Sequence, residues 1–111
     1  MNYKVHISPE AVSDLDGIWD YIHAELYSPI AAFNTISHIM DSINDLEMFP
    51  EACPRLSSIV TIESDYRFLV SGNYLAFYRV SAPNVYVDRI LYGKSDYLKT
   101  LFGHSGFAHD L

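Results

Sequence analysis

The sequence predicts an α+β fold in the order β-α-α-β-β-β, an antiparallel sheet packed on an N-terminal helical hairpin, with a short helix at the end. Two apolar stripes at helical spacing, each opened by a Ser-Pro pair, predict the hairpin. Three apolar runs rich in β-branched and aromatic residues, separated by short polar loops, predict the meander. The third observation is charge. Residues 1–65 carry Lys4 and Arg55 against eleven Asp and Glu, a net −9, whereas Tyr66 to Phe102 holds Arg67, Arg79, Arg89, Lys94 and Lys99 against Asp88 and Asp96, a net +3.

Tyr3, Val5 and Ile7 alternate with Asn2, Lys4 and His6, the period-two pattern of a half-buried strand. Ser8-Pro9-Glu10 then starts a helix: the serine oxygen can accept from an orphan amide, proline suits the first helical position, and the carboxylate favours the positive helix end. Val12, Leu15, Trp19, Ile22 and Leu26 form its apolar stripe, on which Trp19 reads as core. Ser28-Pro29 repeats the signal, and Phe33, Ile36, Ile39, Met40, Ile43 and Leu46 form the second stripe. The connection is short, so the helices are expected to pack as an antiparallel hairpin. Phe49-Pro50 closes the second helix. Glu51 to Ser64 is irregular, with a short edge strand expected at Ile59, Val60 and Ile62.

Tyr66 to Val70, Tyr74 to Val80 and Val85 to Tyr92 are the meander strands, joined through Ser71-Gly72-Asn73 and Ser81-Ala82-Pro83-Asn84. Asp96 to Phe102 reads as a short helix. Residues 1–102 are expected to form one domain, and 103–111 a loose tail. One sheet face buries against the hairpin, and the other is expected to stay free in part for a partner.

Half of the 111 residues are hydrophobic and 14% aromatic, enough for one compact core. Cys53 stands alone, so no intrachain disulfide forms, and a lone thiol fits a reducing cytoplasm. No apolar run approaches the roughly 18 residues of a membrane span. A cytoplasmic location is therefore expected. Overall acidity argues against broad nucleic-acid affinity. His6, His23 and His38 lie far apart on a strand and two helices, and His104 and His109 fall in the tail, so neither a metal site nor a cofactor is expected. Tyr66, Tyr74, Tyr78, Tyr86 and Tyr92 read as sheet packing rather than a stacking platform.

Five phrases stand in order along the chain: ISPEAVSDLDGIWDYI, SPIAAFNTI, YRFL, GNYLAFYRV and RILYGKSDYLKTLF. In that order, over about residues 3–102, they resemble the RelE/ParE family of toxins from type II toxin–antitoxin modules, the plasmid-stabilisation type. The resemblance implies a toxin neutralised by a cognate antitoxin, in a homodimer or a toxin–antitoxin hetero-oligomer. The RelE-like branch cleaves messenger RNA on the ribosome, and the ParE-like branch poisons DNA gyrase.

Cleaving RNA needs a base, an acid and cations around the phosphate. Matched to the RelE-like pattern, Arg67 and Lys94 stand where basic residues belong. Leu69, Leu75 and Ser95 replace three cations. Tyr92 and Tyr97 would be the acids, but a phenol with a reference pKa of about 10 needs neighbouring cations to act as a base. The phrases GNYLAFYRV and RILYG look more ParE-like. The reading is therefore a gyrase-poisoning toxin, with Arg67, Arg79, Arg89 and Lys94 as candidate partner-binding residues. Each strand arginine has a structural alternative, lying over the sheet or pairing with a carboxylate, which for Arg89 is Asp88 or a helix acid. Two other readings stay open. One is a ribosome-dependent mRNA endoribonuclease using Arg67, Arg79, Lys94, Tyr92 and Tyr97. The other is a degenerate, non-toxic module member that only binds antitoxin.

Overall fold

The computed structural model describes residues 2–103. Its elements are β1 (Lys4–Ile7), α1 (Pro9–Leu26), α2 (Pro29–Asn44), β2 (Arg67–Ser71), β3 (Tyr74–Ser81), β4 (Asn84–Tyr92) and α3 (Tyr97–Phe102). Single 3₁₀ turns follow at Asp45–Glu47 and Leu56–Ser58. The four strands form one sheet in the order β1-β4-β3-β2. The pairs β2–β3 and β3–β4 are antiparallel, and β1 pairs parallel with the first residues of β4. None of the described helices is long and apolar enough to cross a membrane.

The Ser-Pro starts act as the sequence suggests. Ser8 accepts from Ala11 N–H at 3.0 Å and Ser28 from Ala31 N–H at 3.1 Å, with proline in the first turn of each helix. The Ser8 hydroxyl also donates to the Asp88 carbonyl at 2.7 Å, and its amide bonds the Val87 carbonyl, tying the helix start to β4. Asp96 caps α3, and Gly103 ends it with φ +84. Gly72 supplies the positive φ of the two-residue β2–β3 turn. Gly93 lies against that turn, donating to the Asn73 carbonyl at 2.8 Å; a Cβ there would sit 3.2 Å from the same oxygen. Ala82-Pro83, a cis peptide, links β3 to β4.

The main core lies between the hairpin and one sheet face. Ala11, Ile18 and Ile22 of α1 and Ala32, Ile39 and Ile43 of α2 meet Ala76, Tyr78, Val85, Val87 and Ile90. The buried stripes are rotated from the expected ones. Val12 and Leu26 of the first stripe and Phe33 of the second are exposed, while the small Ala11 and Ala32 are fully buried. Both alanines are core positions that a count of large apolar residues passes over.

Two further expectations are corrected. Ile59, Val60 and Ile62 form no strand; the segment turns after Leu56–Ser58, and Val60 and Ile62 pack as side chains instead. The second sheet face is less open than expected. Leu56, Phe77 and Leu98 form a smaller core there with Phe68, Leu75, Leu91 and the apolar side of α3. Among the described residues, the end of that face carrying His6, Tyr86 and Arg79 is left open, with His6 and Arg79 exposed, as is Val70 on the edge strand β2. The predicted tail beyond 103 lies outside the described residues.

Candidate partner-binding face

A bulge in β4 sets up the site. Phe77 pairs with Arg89 and Tyr78 with Val87, so Asp88 is an extra residue in the ladder. Around it the two neighbouring charges take separate directions. The Asp88 carboxylate accepts from Arg79 Nε at 2.9 Å, more weakly from Arg79 at 3.4 Å, and from the Tyr66 hydroxyl at 2.8 Å. Arg89 reaches Asp14 of α1 through two bonds of 2.8 Å, and Asp14 also accepts from Ile90 N–H at 2.9 Å. Strand β1 pairs β4 only as far as Val87. Asp14 therefore supplies the acceptor that the missing strand would have given Ile90.

A row of rings runs across the uncovered end of the sheet. His6 stacks on Tyr86 with centroids 5.1 Å apart, and the Arg79 guanidinium lies 5.5 Å from the Tyr86 centroid on the next strand. His6 also meets the Asn84 amide oxygen at 2.9 Å. Arg79 is thereby held in one orientation with its side chain 46% exposed. Hydrogen bonding to Asp88 raises its already high pKa, and Asp14 does the same for Arg89. The Tyr66 phenol is pushed up to about 12 by burial, with the Asp88 hydrogen bond and charge adding to it. Burial likewise raises Tyr74, and lifts Tyr78 far above the usual phenol range, with the Cys53 thiol beside it.

The four candidate partner-binding cations do not converge. Arg67 pairs with Tyr78 in the register, on the helix-facing side, and its guanidinium donates to the Cys53 carbonyl at 2.6 Å and the Glu51 carbonyl at 3.4 Å. Tyr78, fully buried, donates to the Pro50 carbonyl at 2.7 Å, so the two side chains together pin the loop after α2. Arg89 is tied to α1. Lys94 is exposed beyond Gly93, beside Asn73; at about 3.3 Å per strand residue it lies roughly 20 Å from Arg79.

Tyr92 and Tyr97 are also apart from Arg79. Tyr92 tilts against Tyr74 at 6.0 Å, and Tyr97 packs on Phe77 at 5.2 Å. Of the cation positions already lost, Leu69 lies in the main core and Leu75 in the smaller one. Of the two partners that the sequence offers Arg89, the helix acid is the one found, Asp14, while Asp88 holds Arg79 instead; neither that pairing nor the His6–Tyr86 stack is foreseen from the sequence. Asp88 carried a signal, as the lone carboxylate within the meander strands; the stack needed the parallel β1–β4 pairing, which residue patterns do not show.

The family model for the ParE toxin of the type II toxin–antitoxin system parDE matches residues 5–97. No curated protein matches the chain by sequence. Among solved structures, a chain of the chromosomal ParDE system from P. aeruginosa is similar with a TM-score of 0.68 and 20% identity, over 81% of this chain and 95% of that one. A chain of the RelBE2 toxin–antitoxin complex from Mycobacterium tuberculosis is similar with a TM-score of 0.56 and 16% identity, over 83% and 99%. At these identities the structures speak for the fold, while the family match spans most of the sequence. The chain belongs to the ParE toxin family of type II toxin–antitoxin systems.

Proposed function

We propose that this protein is a toxin that acts by binding DNA gyrase in the cytoplasm, not by cutting RNA, and that a cognate antitoxin neutralises it. The observation that carries the gyrase side is the fate of the RelE-like cation positions. Leu69 and Leu75 are packed into the two cores and Arg67 is bound to loop carbonyls, so a phosphate clamp would need side chains that are committed elsewhere. The neighbours, described as a ParDE system and a RelBE2 complex, support an antitoxin partner by analogy. Arg79, exposed beside Tyr86, is the cation best placed for a carboxylate of that partner.

Two assays test the mechanism. Purified toxin should inhibit gyrase supercoiling and accumulate cleaved DNA, and the antitoxin should reverse both effects. Programmed ribosomes should keep their mRNA whole at the same concentration. Site-specific mRNA cleavage that is lost in Arg67→Ala would return the protein to the ribonuclease reading.

A further inference from the structure

The turn joining α1 to α2 carries apolar surface for which nothing above has a use. Leu26, Tyr27, Ile30 and Phe33 are 62%, 88%, 72% and 61% exposed. Isolated exposed apolar residues are ordinary, but four within eight consecutive positions make a patch of the kind that marks an interaction site. The backbone adds an independent observation. Tyr27 closes α1 at φ 50, ψ 35, and is the sole non-glycine among the described residues with positive φ. Glycine or asparagine normally takes this position, because a Cβ is strained there. With 88% of its surface exposed, the Tyr27 ring gains little packing within the chain to offset that strain. Strain held where no internal contact rewards it points to an external one.

Charge narrows the occupant. The exposed acids nearest in sequence, Asp20 and Glu25, belong to the half of the chain with net −9. A surface that accepts this tip must combine an apolar pocket with a basic rim, and basic surface is what a DNA-binding enzyme presents. We infer that the hairpin tip grips the protein target, with Tyr27 and Phe33 entering an apolar pocket rimmed by Lys or Arg. It rests on the toxin reading above and assigns the target a different surface from the Arg79 end of the sheet.

The test compares wild type, Tyr27→Gly and the Ile30→Ser/Phe33→Ser double variant, each induced in a bacterial host with growth as the readout. The purified proteins are also melted, titrated with the small protein encoded beside the toxin, and assayed against gyrase. Glycine suits the left-handed backbone, so Tyr27→Gly should keep or raise the melting temperature and remove misfolding as an explanation. Both variants should lose growth inhibition at least about tenfold while binding the antitoxin within about twofold of wild type. Undiminished inhibition by Tyr27→Gly overturns the inference. So does parallel loss of antitoxin binding, which would make the tip the antitoxin's seat, and so does a wild-type chain that leaves growth untouched. Growth arrest without gyrase inhibition defeats the gyrase reading alone, and the growth comparison still decides the tip.

Discussion

Arg89 and Arg79 each bond an aspartate at 2.8–2.9 Å, but the two pairs sit in different surroundings. The Arg89–Asp14 side chains are 29% and 12% exposed, join α1 to β4, and share Asp14 with a backbone amide. The Arg79–Asp88 side chains are 46% and 24% exposed and join two strands already paired by their backbones. Similar chemistry therefore has different weight. Removing a half-buried partner strands a charge and an amide, whereas an exposed pair is screened and holds little together. What is dispensable for the fold is available for a partner, and on this ground Arg79 and not Arg89 is the cation to test in binding.

The largest effect separating the pairs should come from Asp14→Ala. It leaves Arg89 and the Ile90 amide without their acceptor, a loss of about 2–4 kcal/mol given the partial exposure. Denaturant unfolding measures it, and a loss below about 0.5 kcal/mol would erase the distinction from an exposed pair. Arg79→Ala comes next and acts on a different quantity. Stability should fall by less than about 1 kcal/mol, while antitoxin affinity falls at least about tenfold. Calorimetric titration beside a melting curve separates the two, and a lower melting point with unchanged affinity would make Arg79 structural.

The smallest effect concerns Tyr66, which shares Asp88 with Arg79. Its folded pKa of about 12 lies above the ordinary 10, so the fold favours the neutral phenol. That contribution is fully present below the unfolded value and is lost as pH rises from about 10 through about 12. Tyr66→Phe should shrink the fall in melting temperature over that alkaline window by about 2 °C, the phenol being only partly buried. Identical alkaline profiles would mean that burial and Asp88 do not hold the phenol neutral in the fold.

How far the sequence reached can be seen element by element. Period-two and helical spacings, the Ser-Pro starts and the turn at Gly72 are local signals, and each fixes the conformation of its own few residues. They gave the element order, the hairpin and the meander, and their arrangement carried the family resemblance. The apolar stripes went astray at Val12, Leu26 and Phe33 because the core fills some of its positions with small residues, Ala11 and Ala32, which a pattern of large apolar side chains does not mark. Ile59 to Ile62 went astray because an apolar run packs equally well as a strand or as side chains under a short helix.

The site was the least legible part. By itself the sequence determined that cations gather on the strands, while the resemblance to the RelE-like branch implied cations at three positions that Leu69, Leu75 and Ser95 occupy. Only the tertiary structure decided which cation faces what. The bulge at Asp88 and the early end of β1 at Ile7 send Arg89 to α1 and Arg79 to the open sheet face, while Arg67 turns to the loop after α2. The reason is physical: the sign of a charge is a property of the residue, but its partner is fixed by register, and one extra residue in a ladder changes which face a side chain meets.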